Sequence, residues 1–205
     1  MQEPGQSSRG PRDERGALYD KIVKIARTSF AENGFAATSM RSVARGAEVD
    51  PSLVRYYFPG GKEALLDAVL TLPESFSVAL SAAVHTPLAE RGNALLELFI
   101  AAWEDPTNVE ILTLLLLTAS HEPQVMQRLR AFHEALILPA IAASLPDEER
   151  LLRAGLTASH ILGLAMTRYV WKINPVATLP ADRLTAIVAP NIQRYLSGNL
   201  DPASP

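Results

Sequence analysis

Between Thr38 and Lys62 the chain collects side chains able to grip and read a polyanion. Arg41, Arg45, Arg55 and Lys62 are cations, and Thr38, Ser52, Tyr56 and Tyr57 carry hydroxyls. A guanidinium can donate two parallel hydrogen bonds to guanine O6 and N7, so Arg41 and Arg55 are candidates for base edges in a major groove, with Ser52 and Tyr56 beside them. Lys62 opens a helix, where an ammonium and a helix N-terminus together suit a phosphate. A solvated charge is the simpler role for Arg45. For Tyr57, packing between helices competes with contact to DNA. Other chemistries are poorly served. There is no cysteine, which removes disulfides, thiolate catalysis, zinc fingers and iron–sulfur clusters. His85, His121, His133 and His160 lack metal-ligand spacing. No HExxH, G-x-S-x-G, P-loop or dinucleotide fingerprint occurs. The expectation is a protein without enzymatic activity, cofactor or metal.

Charge follows the same division. Residues 1–62 hold ten Lys and Arg against seven Asp and Glu, and the remaining residues nine against fifteen, within a net charge of -3. A basic first third on an acidic body is the pattern of a chain whose N-terminal part alone meets a polyanion. With 205 residues, 48% hydrophobic and 20% charged, the chain is long and apolar enough for a sizeable core. No apolar run approaches the roughly 18–20 residues of a membrane span, the longest being 111–117. The N-terminus lacks an apolar signal core. These features predict a cytoplasmic protein without a membrane partner.

The elements that must position these side chains are helices. Leu18, Ile22, Ile25 and Ala26 share one face, and Leu95, Leu98, Phe99 and Trp103 repeat the 3.6-residue period, as do Val125, Leu129, Phe132, Leu136 and Ala140. No segment alternates as a strand does. Asp50-Pro51, Thr86-Pro87 and Asp105-Pro106 each join an N-cap side chain to a proline at the first helical position. Pro123, Pro146 and Pro180 open further helices, whereas Pro139 and Pro190 should kink or end theirs. Asn33-Gly34 ends the first long helix, with Gly34 in the left-handed position. A short helix capped by Thr38, a turn over Gly46 to Val49, and a second short helix from Pro51 to Tyr57 compose a helix-turn-helix. The fold class expected is all-α, with nine or ten helices: a three-helix DNA-binding domain followed by a larger helical domain for ligand and dimer. The boundaries are a mobile tail over 1–16, the DNA-binding domain over 17–62, the larger domain over 63–198, and a second tail over 199–205.

The stretch Phe30-x-x-Asn33-Gly34-Phe35, Thr38-Ser39-Met40-Arg41-Ser42-Val43-Ala44, Val49-Asp50, Leu53-Val54, Tyr56-Tyr57-Phe58 and Gly61-Lys62-Glu63-Ala64-Leu65-Leu66 resembles the TetR/AcrR family of transcriptional regulators. The likeness is specific over about residues 17–70. The segments 163–170 and 187–196 are similar, more loosely, to the C-terminal domain of an actinobacterial-type branch. The resemblance implies a dimeric, ligand-responsive repressor. It also implies that Thr38 and Tyr57 occupy phosphate-contacting positions, where hydroxyls position without reading sequence. The chain departs from the family pattern at Glu48, where glycine is usual, at Arg55, often tyrosine, and in one extra residue at Gly60-Gly61. Glu48 is therefore expected either to reshape the turn or to be strained.

In the larger domain, Phe76, Phe99, Trp103, Met126, Phe132 and Met166 are candidates to line an apolar pocket, and Thr118, His121 and His160 to orient a ligand in it. Gly155, Ser159 and Gly163 recur every four residues. Such a row lets a neighbouring helix backbone approach, and glycine inside a helix costs about 1 kcal/mol relative to alanine. With Leu184 and Ile187 the row is the candidate dimer interface, since in the family the last two long helices form it. The expected partners are thus double-stranded operator DNA of palindromic sequence, a small, largely apolar effector, and a second copy of the chain. The alternatives are an all-α protein-binding adaptor or an enzyme without DNA function.

Overall fold

The computed structural model describes residues 11–145 and 149–200, with the side chains of 11–14 and 107 excepted. The expected tails at 1–10 and 201–205, and the helix start at Pro146, lie outside these residues. Among the described residues there is no strand, as the missing two-residue alternation predicts. The chain divides into two compact units between Thr71 and Leu72, nine residues beyond the expected boundary.

The first unit holds α1 (Pro11–Ala37), α2 (Met40–Gly46), α3 (Pro51–Tyr57) and α4 (Gly61–Leu70). Residues 11–16, expected in the mobile tail, are helical. Ile22, Ala26 and Phe30 of α1 are fully buried with Val43 and Ala44 of α2, Val54 of α3, and Leu65 and Val69 of α4. Gly34 breaks the α1 run with φ 78° and ψ 164°. The positive φ is as expected, but the ψ belongs to a region open almost only to glycine rather than to the left-handed helix.

The second unit holds α5 (Glu74–Val84), α6 (Arg91–Glu104), α7 (Pro106–Ala119), α8 (Pro123–Phe132), α9 (Leu138–Ala143), α10 (Arg150–Ala165) and α11 (Ala181–Ser197). Its core is two patches. One joins Leu80, Leu95, Ile141, Ala154, Ile192 and Leu196. The other joins Leu96, Phe99, Trp103, Leu164, Leu184 and Ala189. α6 lies against α11 so closely that a Cβ on Gly92 would stand 2.7 Å from the Gln193 backbone nitrogen. The Gly92 N–H donates to Gln193 Oε1 at 2.8 Å, and Gln193 Nε2 donates on to the Leu88 carbonyl at 2.7 Å.

Three buried arginines clamp helix and loop ends in this unit, a use of charge that the sequence reading did not anticipate. Arg91 donates to the Ser144 and Thr86 carbonyls, Arg153 to those of Tyr195 and Gly198, and Arg168 to those of Val176 and Leu179, all within 2.7–3.0 Å. Late carbonyls of a helix have no intrahelical donor, and a guanidinium satisfies two at once.

Two proline expectations need correction. Thr86 caps no helix, because its hydroxyl turns back to the Ala83 carbonyl at 2.8 Å. α11 runs unbroken through Pro190. The removed N–H leaves one intrahelical bond unmade, but Ala189 and Ile192 remain buried on either side of the exposed proline, so packing holds the helix together.

Candidate DNA interface and ligand cavity

The turn between α2 and α3 aims the reading helix. The Val49 N–H donates to the Ala44 carbonyl at 3.0 Å and the Glu48 N–H to that of Arg45 at 3.1 Å. This double closure normally has glycine at its left-handed residue. Here that residue is Glu48, with φ 57°, so the departure noted in the sequence is met by strain and not by a different turn. Gly46 serves another purpose: a Cβ there would lie 2.8 Å from Ile25 Cγ2, so α2 and α1 touch backbone to side chain. Glu48 is half of an exposed ion pair with Lys21 at 3.4 Å, which contributes little, whereas the left-handed conformation costs an L-residue about 1 kcal/mol. Glu48→Gly is therefore expected to stabilise the chain by roughly 0.5–1 kcal/mol. A fall in the thermal midpoint on this substitution would show that the turn does not hold Glu48 in that conformation.

The Asp50 carboxylate caps α3, accepting from the Ser52 N–H at 2.7 Å and from its hydroxyl. These bonds, the hydroxyl's first, hold its pKa below the usual carboxylate range. The cap is thus in place at neutral pH and is lost only as pH falls through that lowered value. Ser52, Arg55 and Tyr56 are all exposed, and spacings of three and four place them on one face of α3. Tyr56, at 71% exposure, is the most exposed large hydrophobic side chain among the described residues of the unit, which has no physical account within the unit itself. Arg41 and Arg45 are exposed on α2.

Three expected phosphate contacts are partly committed within the fold. Thr38 is buried, and its hydroxyl faces the Gly34 carbonyl at 2.9 Å and that of Ser29 at 3.0 Å. It closes the α1–α2 junction and does not cap α2. The cap is Ser39, which exchanges bonds with Ser42 at 3.0 and 2.9 Å. The Tyr57 hydroxyl donates to the Arg15 carbonyl at 3.2 Å, and its ring meets Tyr19 edge-on at 6.1 Å. The Lys62 ammonium reaches the Ala36 carbonyl at 3.1 Å and sits 4.3 Å from the centre of the Phe35 ring.

In the second unit a cavity of about 110 Å³ opens among α5 to α10. Phe76, Phe99, Trp103 and Phe132 line it as expected. The other five candidates do not. The Thr118 hydroxyl is held by the Leu114 carbonyl of its own helix, and His121 is exposed beside Ser120. Met126 faces outward, and His160 packs on the Tyr195 ring at 5.8 Å. Met166 begins a π-helical turn, Met166–Val170, outside the cavity. The rest of the wall is mainly leucine, isoleucine and alanine, and its one polar side chain, His133, was not among the expected residues. His133 lies four residues after Leu129, which also lines the wall, and it opens a second π-helical turn, His133–Ile137. Trp103 is fixed by the Tyr169 ring, stacked at 4.9 Å and 8°. Burial pushes the Tyr169 phenol above its ordinary pKa, so it stays neutral.

On the last long helices, a Cβ at Gly155 or Gly163 would meet nothing within 4 Å, so this glycine row is not used inside the subunit. Leu151 and Leu152 at the start of α10 and Ile187 on α11 are exposed, at 65%, 54% and 53%. Leu184, expected with Ile187 at a dimer interface, is instead 2% exposed within the subunit's own core. Among the described residues no group of metal-ligating side chains occurs, and no single helix is long and apolar enough to cross a membrane.

A short exposed helix held by a tight turn on a three-helix frame, followed by a separate helical unit with an apolar cavity, defines a helix-turn-helix transcriptional regulator. Residues 22–69 match the model for bacterial regulatory proteins of the tetR family, and residues 89–196 that for the tetracyclin repressor-like C-terminal domain. The chain belongs to the TetR family. No curated protein matches it. Among solved structures, a TetR-family regulator from Streptomyces coelicolor A3 is 28% identical with TM-score 0.61, the match covering 93% of this chain and 99% of that one. NalD, the secondary repressor of the MexAB-OprM multidrug efflux pump in Pseudomonas aeruginosa, is 20% identical with TM-score 0.69, over 90% and 98%. The SmeT–triclosan complex is 17% identical with TM-score 0.66, over 87% and 90%.

Proposed function

We propose that this chain is a repressor that binds a palindromic operator as a homodimer and is released when a small, largely apolar molecule occupies the second unit's cavity. The observation that carries the reading is the face of α3, where Ser52, Arg55 and Tyr56 stand exposed on a helix whose start is fixed by Asp50 and whose approach is fixed by the Glu48 turn. Arg55 and Arg41 read bases, and Tyr56 and Ser52 stand beside them. The Ser52 hydroxyl donates to Asp50, which leaves its oxygen as an acceptor for a base amino group. Lys62 meets a phosphate with the donors not given to Ala36, and the Tyr57 hydroxyl donates to one only by giving up the Arg15 carbonyl. NalD's role as a repressor favours the same role here, and the SmeT complex with triclosan favours an apolar effector. Release follows only if the effector binds the two states with different affinity.

Gel shifts on paired variants test the reading. Arg55→Ala should lose roughly 1–3 kcal/mol on the operator if it holds a guanine in bidentate fashion, and little on random DNA. Lys62→Ala should weaken both alike. If Arg55→Ala binds operator as tightly as the parent, α3 does not read bases through that residue.

A further inference from the structure

We infer that the cavity selects a neutral molecule of about one aromatic ring that carries one hydroxyl donor, and that the His133 ring is the group that accepts from it. The inference rests on the proposed function only in taking the cavity as the effector site.

Size comes first. A cavity near 150 Å³ lined by aliphatic and aromatic side chains holds benzene, and this one, of about 110 Å³, is of that order. Charge comes second. No Asp, Glu, Lys or Arg lines it, and apart from His133 and the indole N–H of Trp103 the wall from Phe76 to Leu162 is apolar. A carboxylate or ammonium entering would lose its hydration without gaining a counter-charge, so ions are excluded whichever their sign.

The hydrogen bond follows from a tautomer. The His133 Nδ1 lies 2.9 Å from the Leu129 carbonyl oxygen. A carbonyl only accepts, so Nδ1 carries the proton, and Nε2 of the neutral ring is left as an acceptor. Nε2 is also the nitrogen farther from the backbone, at the end of a side chain that lines the cavity. The ring itself is braced by Phe132, edge-on at 5.5 Å, which in turn meets Phe76 at 6.0 Å. The π-helical turn that begins at His133 also places Ile137 in the wall, and turns of this kind recur at functional sites. A ligand O–H therefore finds an acceptor whose orientation is already fixed, while a ligand offering only a carbonyl or ether oxygen finds no donor on that nitrogen.

Calorimetry on the full chain without DNA tests this with four probes of similar size: para-cresol, toluene, benzoate and benzylammonium. The expected result is para-cresol bound about tenfold tighter than toluene, as one net hydrogen bond allows, with neither ion bound detectably. His133→Leu should erase the difference between para-cresol and toluene while toluene binding persists, and His133→Gln, whose amide oxygen accepts, should restore part of it. Equal affinity for para-cresol and toluene in the parent protein overturns the inference, as does tighter binding of either ion, no binding of para-cresol, or discrimination that survives His133→Leu. Should His133→Leu not fold, the four parent titrations still decide. Because no DNA is present, failure here leaves the DNA-binding reading intact. Conversely, para-cresol that binds as expected but leaves operator affinity unchanged contradicts effector release and not the chemistry of the cavity.

Discussion

A Gly163→Leu protein is expected to be a fully helical monomer that has lost most of its operator affinity. The proposed dimer places a partner helix backbone over Gly155, Ser159 and Gly163, and an isobutyl group there intrudes on it. Overpacking of this kind costs about 1–3 kcal/mol or more, and a two-fold axis applies it twice per dimer. Within the subunit Gly163 is exposed and a Cβ there has no neighbour within 4 Å, so the fold of the single chain has room for a larger side chain. Replacing a glycine inside α10 also gains up to about 1 kcal/mol of helix propensity. The monomer should thus melt no lower than the parent's own subunit while the assembly falls apart, and that opposition makes the variant informative. One head alone makes too few base contacts, because a palindrome presents two half-sites in register with two heads. Sedimentation at micromolar concentration reads the state, and anisotropy reads the DNA. A Gly163→Leu protein that remains a dimer with parental operator affinity would move the interface elsewhere, to another face of α10 or to the outer face of α11 around Ile187.

Gly92→Ala should do the reverse and damage the subunit itself. A methyl group at this position would lie 2.7 Å from the Gln193 nitrogen, 2.8 Å from the Ala189 carbonyl oxygen and 2.9 Å from the Gln193 Cβ. Two of the three are backbone atoms of α11, so relief requires α6 and α11 to separate. Separation strains the Gly92–Gln193–Leu88 hydrogen-bond chain and loosens the core patch shared by Leu96, Leu184 and Ala189. The expected loss is about 1–3 kcal/mol or more, a drop of several degrees in the thermal midpoint for a chain of this size. Gly16→Ala, one methyl group in open space on α1, is the control and should raise the midpoint slightly. Equal midpoints for the two variants would mean that α6 and α11 do not approach as described.

The sequence was most legible where a local rule fixes geometry. Asp50-Pro51 announces the start of α3, and Glu48 in a glycine position announces a strained turn, because caps and left-handed residues depend on only a few neighbours. Thr38 and Ser39 show where that legibility ends. Both are hydroxyl residues suited to a cap, and the choice fell to Ser39 because Ser42 answers it from three residues on, a capping box without the usual Glu or Gln. The aromatic wall of the cavity was readable from the 3.6-residue period of α6. His133 stands at helical spacing from Leu129 on the same face, but a lone polar residue in an apolar stripe carries no local mark of its role, whereas Ile137 enters the wall in place of Leu136 because the π-helical turn shifts the face after His133. Leu184 and Ile187 are three residues apart on one helix, yet one is buried and the other exposed. Periodicity finds such a stripe but does not say which edge of it meets the subunit's own core. The contact at Gly92 joins segments about a hundred residues apart, and no local pattern encodes it.

The central claim, that the first unit reads duplex DNA through α3, is tested most directly by the salt dependence of operator binding. A labelled duplex carrying a palindrome from the DNA flanking the coding gene, and a scrambled duplex of equal length, are titrated with the protein by fluorescence anisotropy over a range of salt concentrations. Each phosphate neutralised contributes about -0.9 to the slope of log K against log salt. With Lys62 and at least one further cation on each of two heads, the account predicts a linear fall with a slope steeper than about -3, and tighter binding to the palindrome than to the scrambled duplex at every salt concentration. A protein that binds neither duplex, or whose binding is indifferent to salt and sequence, would contradict it.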